Sequence, residues 1–198
     1  LRHTSWLRPS VAGHVPLQAG MFLLDAYKLP VPGTADKAGL ENQAWTGRQP
    51  AGVMLTGADH ISFERCTFSN MAATGLDLVS ATHDNLIRGC LFSDIGGTAI
   101  QAGYFGDAGF EGHLPYDPSD PRDVCHHETI CDNLITDCTN EDWGCVGIGI
   151  GYAADITIEH NEISDVHYSG ISVGWGWTKT INCMRNNRIV ANKIHHFA

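Results

Sequence analysis

One hydrophobic phrase recurs five times in this chain, about every 23 residues, and a repeat of that length is a structural unit that hides its apolar face by stacking on copies of itself. The copies align from Gly52, Gly75, Ala99, Gly147 and Gly170. Each opens an alternating run: Val53/Leu55, Leu76/Leu78, Ile100/Ala102, Ile148/Ile150 and Ile171/Val173. A second apolar position follows at Ile61/Phe63, Ile87, Ile130, Ile156/Ile158 and Ile189. Then comes a polar or thiol position at Cys66, Cys90, Asn133, Asn161 and Asn192, and two residues on another apolar one at Phe68, Phe92, Ile135, Ile163 and Ile194. Three short period-2 strands per repeat, with no helical spacing, predict an all-β solenoid, a parallel β-helix of about five coils over residues 51–198. The Asn column fits a turn whose inward amides bond the coils above and below. Residues 1–50 do not repeat; Pro9, Pro16, Pro30, Pro32 and Pro50 and one apolar run, Met21–Leu24, predict strand fragments and loops packed on the solenoid or capping it. The chain opens on Leu1 without a basic-apolar leader and stops at Phe197–Ala198, where a strand triplet is due, so it reads as a piece of a longer solenoid.

Charge and composition narrow the partners. A net charge of −10 with 12 basic residues leaves little to neutralise a phosphate backbone or a polyanionic sugar. No run of 18 apolar residues exists, so no helical membrane span is expected. Cys66 and Cys90 fall in the inward column, where a thiol packs as a small hydrophobe. Cys125, Cys131, Cys138 and Cys145 lie near loops without a C-x-x-C pair, which argues against zinc. His126-His127-Glu128 has metal-ligand residue types, but neighbours on an extended strand face opposite ways. No metal and no cofactor are expected.

Interruptions of the repeat locate the candidate function. The turn after the first strand is short at Gly57–His60 and Gly151–Asp155 but swells at Gly103–Glu128 and again at Gly174–Asn186. On the other flank the third coil gains Thr139-Asn140-Glu141-Asp142-Trp143. Loops on both flanks predict a groove floored by the outward residues of the first strands: Met54, Asp77, Gln101, Gly149 and Ser172. Asp142 and Asp165, with Glu141, fall on neighbouring connections of one flank. Coils about 4.8 Å apart would bring two such carboxylates to the roughly 5–10 Å used in glycoside hydrolysis. One would be held protonated as general acid, the other ionised as nucleophile or base. Asp77 on the floor is a further catalytic candidate, and Gln101 beside it a binding one. His167 and Tyr168 precede the next coil junction as binding candidates, and Trp143, Trp175 and Trp177 offer flat apolar faces for sugar rings. Structural alternatives stand beside these roles. Asp165 shares a column with Asn70, Asp94 and Asp137 and would equally cap a turn; Asp142 would equally be a solvated turn residue, and the tryptophans would equally pin the long loop.

The segment HNEISDVHYSGISVGWGW (His160–Trp177) resembles right-handed parallel β-helix proteins of bacterial polysaccharide degradation, most nearly the fucosidase/xylanase-type glycoside hydrolases of family 141. SWLRPSVAGHVPLQAGMFLLDAYKL (Ser5–Leu29) and HISFERCTFSNMAATGLDL (His60–Leu78) are similar too. The resemblance implies a right-handed coil, a secreted or periplasmic location, a polysaccharide or oligosaccharide substrate and paired acids in the groove, with Asp165 the first position carried over. It also implies a further Gly-rich, Asp-containing coil after this point. The leading expectation is hydrolysis by Asp165 with Asp142 or a residue past Ala198. A polysaccharide lyase is disfavoured because no lysine falls on a floor strand, though Arg185 and Arg188 lie near a long loop. A non-catalytic carbohydrate-binding solenoid is the third reading.

Overall fold

The computed structural model describes residues 1–6, 15–16, 18–23, 46–105, 116–175 and 181–198. These are all-β, with helix limited to two short 3-10 turns, Gln18–Gly20 and Pro121–Asp123. Three large parallel sheets take one strand each from successive repeats, and a two-stranded parallel sheet pairs Cys125–His126 with Ala153–Ala154. The first holds Ala51–Thr56, Thr74–Ser80, Ile100–Ala102, Ile148–Ile150 and Ile171–Val173. The second holds Ser62–Glu64, Leu86–Arg88, Thr129–Cys131, Thr157–Glu159 and Arg188–Val190. The third holds Thr67–Met71, Leu91–Ile95, Leu134–Cys138, Glu162–Val166 and Lys193–Phe197, with Arg2–Thr4 added at its edge. Each strand pairs with its equivalents one repeat before and after, so every ladder bond joins distant residues.

The apolar columns expected from the repeat are the observed registers. Leu76, Ile100, Ile148 and Ile171 are successive partners in the first sheet. Phe63, Ile87, Ile130, Ile158 and Ile189 are successive partners in the second, and Phe68, Phe92, Ile135, Ile163 and Ile194 in the third. Their inner members make one continuous core. Phe68 and Phe92 stack in it with centroids 4.6 Å apart, as identical rings must when strands repeat at about 4.8 Å.

Turns are fixed by polar ladders. Asn133 Nδ2 donates to Asn161 Oδ1 at 2.9 Å, and Asn161 Nδ2 donates to Asn192 Oδ1 at 2.9 Å. Their amides also donate to the carbonyls of Ile87 and Ile130, so groups that leave water are paired. Cys90 continues the column as a buried thiol whose backbone N–H donates to Asn133 Oδ1. The residue before each ladder position is left-handed: Arg65, Gly89, Asp132, His160 and Ala191. A second left-handed column, Asn70, Asp94, Asp137, Asp165 and His196, kinks each third-sheet strand before its last residue. Asn and Asp dominate it because they tolerate positive φ better than most side chains.

A second apolar cluster lies outside the core between the three sheets. It joins Ala19 and Met21 of the non-repeating segment to Phe105, Val124, Val146, Tyr152, Ala154, Trp175 and Cys183. The two long insertions meet there: Tyr116 bridges Asn182, and the Cys183 N–H donates to the Tyr116 carbonyl at 2.8 Å. Tyr104 stacks on Tyr116 at 4.2 Å. Around it, Val15–Pro16, Met21–Leu23 and Thr46–Arg48 form a small antiparallel sheet.

Candidate functional site

Met54, Asp77, Gln101, Gly149 and Ser172 form one register column, as the repeat predicts. The open groove expected above them is corrected by the structure, because residues of the non-repeating segment cover its middle. Asp77 is fully buried beneath Arg48, whose Nε donates to Oδ2 at 2.6 Å and Nη2 to Oδ1 at 2.7 Å. The same guanidinium donates twice to the Gly103 carbonyl at 3.0 Å and lies over the Phe105 ring. Gln101, also fully buried, donates to the Ala19 carbonyl at 3.3 Å and accepts from Thr74. Only the two ends of the column, Met54 and Ser172, reach solvent. Apolar area gained by seating Ala19 and Met21 over the sheet, plus a bidentate charge-assisted pair, is what closes the floor.

The Thr139–Trp143 insertion splits its acids between two surroundings. Its backbone docks on the preceding repeat, with the Glu141 N–H donating to the Gly96 carbonyl at 2.9 Å. Gly96 is itself packed against the preceding repeat, where a Cβ would lie 2.5 Å from the Ala72 carbonyl oxygen. Asp142 turns inward, is buried and accepts from Gln49 Nε2. The Cys145 thiol sits in the same pocket, and burial, reinforced by the Asp142 charge, pushes it up to about 12. Glu141 and Trp143 stay in solvent, Trp143 at 65% exposure. Trp175 is buried edge-on against Phe105, 5.2 Å between centroids, within the second cluster. Tyr168 packs half-buried against that cluster. Trp177 lies outside the described residues.

Asp165 is exposed and left-handed, φ 53°, in the third sheet. Thr136 Oγ1 donates to its Oδ2 at 3.2 Å. The Ser164 hydroxyl, then that of Thr136, holds its carboxyl below the ordinary aspartate value. A cavity of about 350 Å³ is lined by Asp137, Asp165, Val166, His167, His196 and Phe197, with Ala198. His167 is anchored there, its N–H donating to Thr139 Oγ1 at 2.8 Å. Asp165 and His167 thus share a surface, whereas Asp142 and Asp77 lie under the covering segment. Asp137, a turn-column neighbour of Asp165 in the sequence, and His196 join this lining without having been site candidates. The left-handed column that contains Asp165 is the signal that finds them, because its members stack one above the other.

Among the described residues, a carboxyl held well up lies elsewhere. Glu128, 1% exposed, stands where the turn ladder uses Asn85 and Asn187 in other repeats. It accepts from the Asn85 N–H at 2.9 Å and from Asn85 Nδ2 at 3.2 Å, yet burial raises it to about 7.

A solved structure described as a glycoside hydrolase matches the chain with TM-score 0.88 and 51% identity, over 100% of this chain and 33% of that one. The chain spans one third of that protein's length. No protein-family model and no curated protein matches it.

Proposed function

We propose that this chain is a right-handed parallel β-helix that acts on carbohydrate, hydrolysing glycosidic bonds of a polysaccharide in the manner of the family-141 fucosidase/xylanase type. The observation that carries the reading is 51% identity along the whole chain to a structure described as a glycoside hydrolase. Three parallel sheets fed in rotation by one chain support the coil, and its right hand follows from the strong preference of parallel crossovers. The non-repeating segment then packs on the coil through its described residues 18–23 and 46–50, which Asp77, Asp142 and Gln101 serve to seat. A secreted or periplasmic location follows the same resemblance.

In this reading the chemistry lies at the cavity beside Asp165. Its carboxyl, held down by two hydroxyls, is the ionised member, nucleophile or base. Asp137, one strand away, supplies the second carboxyl; strands about 4.8 Å apart suit the roughly 5–5.5 Å separation of retaining enzymes. Glu141 is the alternative acid. His167 and Tyr168 flank the sugar, and Trp143 offers it an exposed ring.

The test is release of reducing ends from xylan and fucosylated oligosaccharides by the protein and by Asp165→Gly. Glycine fits a left-handed residue without strain, so this variant removes the carboxylate and keeps the turn. Cleavage by the native chain that is lost in Asp165→Gly supports the assignment; cleavage that survives it removes Asp165 from the chemistry.

A second reading is favoured by the left-handed column itself, which explains Asn70, Asp94, Asp137 and Asp165 as turn residues. The surface would then bind sugar without cleaving it. Oligosaccharide binding without any released reducing ends, unchanged in Asp165→Gly, would select it.

A further inference from the structure

A different turn of the repeat gathers histidines. Between the first and second sheets, Asp59 pairs with His83 and His83 with His126 in parallel bridges, so three repeats deliver Asp59-His60, His83-Asp84 and His126-His127 to one ridge. The rings follow the stacking of the chain. His83 and His126 lie face to face, centroids 4.9 Å apart and planes 2° from parallel, while His60 meets His83 edge-on at 6.1 Å. On a regular extended strand His126, His127 and Glu128 would diverge. Glu128 does point inward. His127, however, is left-handed, φ 55°, and its Nδ1 lies 2.8 Å from that of His126. The imidazoles therefore gather on the ridge instead of alternating.

We propose that Asp59, His60 and His83 form a binding site for a divalent transition-metal ion, Zn²⁺ being the ion their donor set fits. One ligand atom from each lies within 4.8 Å of the other two. Two zinc ligands held at about 2.0–2.1 Å and tetrahedral angles sit roughly 3.3 Å apart, so small side-chain rotations close the set. His60 Nδ1 and Asp59 Oδ2 are already 2.9 Å apart. These side chains are accessible, His60 at 72% and Asp59 at 56% exposure, so closing on an ion meets no packing barrier. Two imidazole nitrogens and one carboxylate oxygen suit zinc and leave the remaining position to water.

A second feature separates this ridge from a chance surface cluster. His83 Nδ1 is hydrogen-bonded to Asp84 Oδ2 at 2.9 Å, while the ring stacks on His126. A carboxylate on one ring nitrogen fixes the tautomer and turns the other nitrogen outward as a ligand, the arrangement that supports metal-bound histidines. Asp84 is thus a positioning residue. The site stands apart from the cavity at Asp165 and from any activity there.

The experiment is calorimetric titration of ZnCl₂ into untagged, chelator-stripped protein, with each variant's melting temperature checked alongside. One ion per chain with a micromolar Kd is expected. His60→Ala and His83→Ala should each weaken binding at least tenfold, and Asp84→Asn roughly tenfold, without moving the melt. His195→Ala, in the His195–His196 pair of the third sheet, should bind as the native chain does. No saturable binding by the native protein overturns the proposal. So does binding retained by the His60→Ala/His83→Ala double variant, or binding lost with His195→Ala.

Discussion

Arg48 grips Asp77 with two hydrogen bonds of 2.6 and 2.7 Å, the Asp77 side chain fully buried and that of Arg48 7% exposed. A bidentate pair out of water is costly to break from one side, because the remaining charge has no solvent. Arg48→Leu should destabilise the fold by about 3–5 kcal/mol. The Arg48→Leu/Asp77→Leu double variant should recover most of that loss. Urea midpoints decide it: equal loss in single and double variants would mean that the pair's charge is not what matters.

The asparagine ladder is a second place to press. Asn161 accepts from Asn133 and donates to Asn192 and to the Ile130 carbonyl. Asn161→Leu leaves buried partners unpaired, at about 1–3 kcal/mol each. A loss of roughly 2–5 kcal/mol is expected in denaturant titration. A variant as stable as the native chain would show that the ladder is ornamental.

Glu128 makes stability depend on pH. Burial raises its folded value from 4.5 to about 7. The unfolded chain therefore gives up the proton first, and the folded state loses ground as pH climbs from about 4.5 to about 7, then levels off. The loss amounts to about 3 kcal/mol. Glu128→Gln should melt higher than the native protein at pH 8, and show no such advantage at pH 4. Parallel melting curves for the two proteins across that range would rule the effect out.

Asp165 should be dispensable for folding even where it is required for turnover. At φ 53°, Asp165→Gly relieves rather than strains the backbone, whereas Asp165→Val places a β-branched residue in the left-handed region. The glycine variant should match the native melting temperature and the valine variant should fall by about 1–3 kcal/mol. If hydrolysis is found, its acid limb should lie below the ordinary aspartate range, since the Ser164 and Thr136 hydroxyls hold the carboxyl down. A limb near neutrality would point to another group as the base.

Much of this architecture was legible in the chain because the repeat forces like residues into register. Once Leu76, Ile100 and Ile148 share a column, Asp77, Gln101 and Gly149 must share the next one on the opposite face. The Asn133–Asn161–Asn192 ladder follows from the same period. Residues 1–50 carry no period, so nothing in them announces that Ala19, Met21, Arg48 and Gln49 lie across that face.

The amino-acid sequence by itself determined the strand columns, the inward apolar faces and the polar turns, because these depend on periodicity and on which residues tolerate positive φ. Tertiary structure decided which acids meet water. Asp77 and Asp142 read as groove carboxylates until Arg48 and Gln49 bury them, while Asp137 joins Asp165 at an open cavity. The histidine ridge was decided the same way, by a left-handed His127 and by chain stacking that sets His83 on His126. Burial and proximity between residues far apart in the chain come from packing of non-repeating elements, and local pattern carries no record of that packing.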